Sequence, residues 1–160
     1  MPRLSSGLLL FRWRENSLEV LLVHMGGPFW RRRDSGAWSL PKGEHEPRED
    51  SLVAARREFA EELGLAPPNG AALDLGSLKQ PSGKLIHGWA LQADIDVSEI
   101  RSNTFELEWP RGSGELQPFP EVDRAGWFGL TAARERLIGG QLPFLDLLLA
   151  RVGGRGRAVS

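Results

Sequence analysis

Apolar positions cluster in two short stretches near the start of the chain. "GLLLFRW" (residues 7–13) and "LEVLLVH" (18–24) are rich in β-compatible residues, and the polar tetrapeptide "RENS" separates them. The pattern predicts two antiparallel strands joined by a tight turn. "MGGPFWRRRDSG" (25–36) is punctuated by Gly and Pro and reads as a loop with a basic run. "AWSLPKG" (37–43) is a short extended piece stopped by Pro41. From residue 48 to 63 the apolar spacing is helical, with Gly64 as the natural C-terminal stop. "LAPPNGAA" (65–72) is a turn-rich connection. "LDLGSLKQ" (73–80) and "KLIHGWALQADI" (84–95) then read as strands with "PSG" as the hairpin turn.

Residues 98–121 carry Trp109-Pro110, Gly112, Gly114, Pro118 and Pro120, and are expected to be mainly an ordered loop. "GWFGL" (126–130) is a short strand, with Thr131 as the expected N-cap of "AARERLI". "GGQLPFLDLLLARV" (139–152) closes the pattern with an amphipathic helix. No internal repeat is present. Strands on both sides of an early helix, with helices last, predict an α/β sandwich around a mixed β-sheet. Residues 1–152 are expected to form one domain, and 153–160 a Gly/Arg-rich tail with nothing to bury.

Composition narrows the function classes. The 160 residues are 41% hydrophobic, enough for one core, and the net charge of -1 supplies no field for nucleic acid or membrane. Absence of cysteine excludes thiolate metal sites and disulfides. The four-residue apolar run before Arg12 is too short for a signal-peptide core, so a soluble cytoplasmic protein is expected. With six Trp and no Tyr, any aromatic platform must be Trp, Phe or His.

The candidate chemistry lies in "REFAEELGL" (57–65). With Glu58 at the origin of a helical wheel, Glu61 and Glu62 fall roughly 60° and 40° to either side, so the three carboxylates share one face. Ser51, Ala54 and Ala55 fall on that face one to two turns earlier, where small side chains are expected to leave space. Leu52, Phe59 and Leu63 are expected to anchor the helix. No lysine interleaves the carboxylates between Gly43 and Lys79. Such a cluster suits a hard divalent cation such as Mg²⁺ or Mn²⁺; as a helix face alone it suits solvent equally well.

The residues in front add a pattern. Gly43, five residues, Glu49, seven residues and then "REFAEELGL" reproduce the signature of the Nudix hydrolase family. Its seven fixed identities recur by chance on the order of once in a billion starting points. The resemblance implies a Nudix-type α/β/α sandwich whose catalytic loop-helix-loop binds divalent metal at the diphosphate of a nucleoside diphosphate-linked substrate. Carried over by position, Glu58, Glu61 and Glu62 resemble metal ligands, with the Gly43 carbonyl as a further one. Glu58 is alternatively the general base. Arg57 and Glu49 resemble the pair that orients the catalytic glutamate.

The flanks resemble one branch. "WSLPKG" (38–43) is similar to the diadenosine polyphosphate hydrolases, and to the diphosphoinositol polyphosphate and RNA 5'-end pyrophosphohydrolases. There Lys42 is a phosphate contact and Trp38 either core or ligand-facing. "FPEVDRAGWFGL" (119–130) is similar too, making Glu121 a further metal ligand or the base. Where the dinucleoside hydrolases stack adenine on Tyr, this chain has none, leaving Trp89, Phe105 or Trp109. Lys79, Lys84 and His87 flank the "PSG" turn and are candidates for distal phosphates, as is the run Arg31, Arg32 and Arg33. His24 and His45 have no partner at metal-ligand spacing and are expected to be structural or exposed. The expected function is Mg²⁺/Mn²⁺-dependent hydrolysis of a phosphoanhydride in a small nucleotide, a dinucleoside polyphosphate first and a nucleoside triphosphate second. A non-catalytic nucleotide sensor and a capped-RNA substrate rank lower. Monomer and homodimer are equally consistent with the chain.

Overall fold

The computed structural model describes residues 3–153. The opening apolar stretches form the hairpin of β1 (Leu4–Arg14) and β2 (Ser17–Met25). Glu15 and Asn16 at its tip have φ of 51° and 65°, the double positive φ of a two-residue turn that matches strand twist. The extended piece splits into β3 (Trp38–Ser39) and β4 (Lys42–His45). β5 (Leu73–Lys79) and β6 (Leu85–Gln92) form the second hairpin.

β1 runs antiparallel to β2 and parallel to β6, giving the mixed sheet β3-β2-β1-β6-β5. The pairing has one feature that places the site. β6 occupies one edge of β1; the other edge is shared, residues 11–14 pairing with β2 and residues 4–7 with β4. β2 is likewise paired along one edge by β9 (Val122–Gly129), and on the other by β1 and then β3. β3 and β4 therefore fill the wedge where β1 and β2 part.

Helix α1 (Ser51–Leu63) starts later than the expected residue 48, because the Asp50 side chain accepts the Val53 N–H at 3.0 Å and caps it. It ends at Gly64, whose φ of 68° is the left-handed conformation that favours glycine. Ala55, Phe59 and Leu63 are buried against the sheet with Leu8 and Leu10 of β1 and Leu21 of β2, and Ala54 is buried beside them on the helix. Ala54 and Ala55 thus do not leave space beside the carboxylates; their small size lets helix and sheet approach. Leu52 is only half-buried.

The opposite sheet face is covered by α2 (Leu130–Arg136) and α3 (Pro143–Val152), with Phe144, Leu145 and Leu148 in the core. Thr131 is not the N-cap: α2 begins at Leu130 after Gly129, which offers no side-chain cap. Helices on both faces of a mixed sheet are the expected α/β/α sandwich.

Residues 98–121 are not mainly a loop. β7 (Thr104–Glu108) and β8 (Leu116–Pro120) form a separate antiparallel ribbon, with Phe105 opposite Phe119. Pro118 and Pro120 sit at alternate positions of a strand paired on one side only, where a missing N–H is tolerated. β9 also begins four residues before the expected strand. No helix among the described residues is long and apolar enough to cross a membrane. Apart from Gly153, the expected tail lies outside the described residues.

Candidate active site

Gly43 and Glu58 meet where β4 passes under α1. A Cβ at position 43 would run into the Glu58 carboxylate, so only glycine allows this approach. Arg57 sits at the centre of the acidic group. Its Nε and Nη2 donate to Glu49 Oε2 and Oε1 at 3.0 and 2.9 Å, a two-pronged grip, and its Nη1 donates to Glu58 Oε2 at 2.5 Å. Glu61, half exposed, lies 3.5 Å from Nη1. These bonds hold Glu49 below its usual pKa and Arg57 above its own. Glu58 moves the other way: burial pushes it up, and the Glu61 charge adds to that despite Arg57.

Glu62, one turn beyond Glu58, accepts the backbone N–H of Lys42 at 3.3 Å. Burial drives its carboxyl up to about 8; the Lys42 charge opposes the shift, whereas Glu121 and Glu58 add to it. Burial in turn lowers the Lys42 ammonium. Glu121 is exposed at the β8–β9 junction, held by Gly26 N–H to its carbonyl at 2.9 Å and its own N–H to Asn103 at 2.8 Å. Of the five expected carboxylates, Glu58 lies at Gly43, Glu61 acts on it by charge, Glu121 acts on Glu62 in the same way, and Glu49 is tied to Glu58 through Arg57.

The donor set is all-oxygen and anionic, suited to Mg²⁺ or Mn²⁺. Among the described residues no three acidic or imidazole groups converge as a finished cation cage. Glu58 is turned to Arg57 and Glu62 to the Lys42 N–H. The carboxyls of Glu58 and Glu62, both raised first by burial, are what a cation would relieve.

Lys42 and Lys84 line a cleft of about 310 Å³ with Gln80, Ser82, Ile138 and Gln141. Lys84 also pairs with Glu44 at 3.0 Å. His87 does not join them. It stands three residues further along the strand on the opposite sheet face, 2.6 Å from Asp74 and stacked on Trp89. Trp38 is a core residue, 4% exposed, its indole N–H on Asp34 and its ring edge-on to His24 and Phe128. Trp109 packs edge-on against Phe29 where the β7–β8 ribbon meets the 26–36 loop.

His24 is structural as expected: it is buried between Asp123 at 2.8 Å and the Arg33 carbonyl. Sequence reasoning missed Ser6, which is fully buried and bonded to His45 and Ser51. The only signal was a polar pair inside an apolar strand, "LSSGLLLF".

A sequence model of the NUDIX domain matches residues 1–148. The chain belongs to the Nudix family. It is similar to an 8-oxo-(d)GTP phosphatase of Mycolicibacterium smegmatis, with 29% identity over 122 residues, 76% of this chain and 30% of that protein. The chain therefore spans under a third of that relative's length. Among solved structures, the NUDIX domain of Shewanella oneidensis NrtR complexed with ADP ribose matches with a TM-score of 0.65 and 17% identity, over 95% of this chain and 89% of that one. A C. elegans Ap4A hydrolase binary complex matches with a TM-score of 0.63 and 21% identity, over 94% and 98%. At these identities the likeness establishes the fold.

Proposed function

We propose that the protein hydrolyses a phosphoanhydride bond in a nucleoside diphosphate-linked compound, with Mg²⁺ or Mn²⁺ as cofactor and a dinucleoside polyphosphate such as diadenosine tetraphosphate as preferred substrate. The observation that carries this reading is the Arg57 grip, which points one oxygen of Glu58 at Arg57 and leaves Oε1 over Gly43. Glu61, Glu62 and the Gly43 carbonyl would hold the metal, with whichever of Glu58 and Glu121 does not act as the base. When bound, the metal neutralises phosphate charge and lowers the pKa of water.

The chain's own groups do the rest. Arg57 fixes Glu58 while Glu49 fixes Arg57, so the carboxylate is held before substrate arrives. Glu58 Oε1 takes the proton of the attacking water as the new P–O bond forms and the bridging P–O bond breaks; Glu121 is the second candidate for that proton. Lys42, whose charge interacts with Glu62, and Lys84, which lines one cleft with Lys42, would meet the phosphates that extend beyond the reacting one. The Mycolicibacterium relative favours a second reading, hydrolysis of an oxidised guanine nucleoside triphosphate.

A substrate panel with Mg²⁺ separates the two. It holds dinucleoside polyphosphates, 8-oxo-dGTP, ordinary NTPs, ADP-ribose, NADH and diphosphoinositol phosphates, with products resolved by chromatography. Highest kcat/KM on a dinucleoside polyphosphate supports the first reading. Highest kcat/KM on 8-oxo-dGTP replaces it with the second, and turnover of nothing rejects both.

A further inference from the structure

Behind the acidic face, four side chains form a hydrogen-bonded line. Trp89 Nε1 lies 2.9 Å from Ser51 Oγ, Ser51 Oγ lies 2.7 Å from Ser6 Oγ, and Ser6 Oγ lies 2.7 Å from His45 Nε2. His45 Nδ1 lies 2.9 Å from the Glu46 carbonyl. With a neutral imidazole the donors run one way only. An indole N–H only donates, so Ser51 accepts from Trp89 and keeps its own hydrogen for Ser6, whose hydrogen is claimed by His45. Ser6 then has its single hydrogen left for His45 Nε2, and the ring's hydrogen sits on Nδ1, facing a carbonyl that only accepts. Every polar hydrogen is used once.

The line joins the two elements that carry the proposed site. Ser6 is the register partner of Gly43 across β1 and β4. Ser51 opens α1 seven residues before Glu58, two turns back on the same face. The space beside the line is not filled by side chains: a cavity of about 290 Å³ is lined by Ser6, His45, Ser51, Glu49 and His87 among others. Hydrogen bonds, and not packing alone, therefore set the gap between β4 and the start of α1.

We propose that Ser6, bridging Ser51 and His45, is a positioning residue that fixes the separation of Gly43 from the Glu58 carboxylate. The proposal rests on the metal-dependent reading above. Loosening the bridge lets α1 pivot at its first turn and misplaces Glu58 and Glu62 together. Arg57 moves with α1 while Glu49 stays in the preceding turn, so the Arg57 grip is strained as well.

The test compares wild type with Ser6→Ala, Ser51→Ala and Ser51→Thr, and with Val152→Ala as a core lesion on the other sheet face. Mn²⁺ affinity is read without substrate by the EPR signal of free Mn²⁺, well below each protein's unfolding temperature; kcat and KM are then measured. Ser6→Ala and Ser51→Ala are expected to bind Mn²⁺ about 10-fold more weakly and to lose a similar factor in kcat, as outer-layer partners of metal ligands do. Ser51→Thr, which keeps the hydroxyl, restores both. Val152→Ala lowers the unfolding temperature and leaves Mn²⁺ affinity unchanged. If Ser6→Ala does not fold, Ser51→Ala, at a half-buried helix start, carries the test. Mn²⁺ affinity within about twofold of wild type in the alanine variants overturns the inference alone. A wild type that neither binds Mn²⁺ nor hydrolyses any nucleotide overturns the functional reading, and this inference with it.

Discussion

Arg57 and Glu49 are joined by two parallel hydrogen bonds eight residues apart in sequence, one from the end of β4's following turn and one from mid-helix. The planar guanidinium matches the carboxylate fork, and lysine cannot reproduce that geometry. Arg57→Lys is therefore expected to cut kcat by about 10- to 100-fold with little change in unfolding temperature. Glu49→Gln should act in the same direction and more weakly. Steady-state kinetics beside a thermal melt check this; unchanged kcat in Arg57→Lys means the grip does not orient Glu58.

Gly43→Ala places a methyl where the Glu58 carboxylate now lies. The helix must retreat or Glu58 must turn away from Gly43. Activity is expected to fall by at least about 100-fold, in line with the cost of misplacing a reacting group by about 1 Å. Circular dichroism should show the fold intact, since Gly43 lies in the short β4 at the edge of the wedge.

Glu62 predicts a pH dependence. Its folded pKa, about 8, is above the unfolded value near 4.5, so the folded protein binds more protons between them. Stability of the metal-free protein therefore falls as pH rises from about 5 to about 8. Glu58, also raised by burial, adds the same sign. Lys42, lowered by burial, has the opposite sign, so the comparison that isolates Glu62 is the variant Glu62→Gln, whose stability should be flatter over this window. Urea unfolding at several pH values checks it. Mg²⁺ should stabilise the wild type more as pH rises, because binding releases the Glu62 proton.

Phe59 is fully buried where α1 meets the sheet. Phe59→Ala should cost about 3–5 kcal/mol, measured by urea unfolding, by loss of burial plus a cavity.

Much of this architecture is legible from short-range chemistry. The period of residues 51–63, the stop at Gly64 and the Gly43–Glu49–Arg57 spacing each report a local constraint, and α1 follows them. The β7–β8 ribbon was hidden because Pro118 and Pro120 look like loop punctuation, although "TFELE" and "LQPFP" alternate as strands do. Lys84 and His87 are both candidates for distal phosphates by sequence, but Lys84 just before β6 and His87 on it line clefts on opposite sides of the sheet. Trp38 gives no local sign of its burial, which depends on His24 and Phe128 from distant segments. Ser6 is of the same kind, since its partners lie 39 and 45 residues away.

The most direct test follows mononucleotide release from diadenosine tetraphosphate with Mg²⁺, comparing wild type with Glu62→Gln. Steady release by the wild type and a loss of at least about 100-fold in the variant, with its circular dichroism unchanged, are expected. Equal turnover by the two proteins would contradict the claim that the α1 carboxylates form the reacting centre.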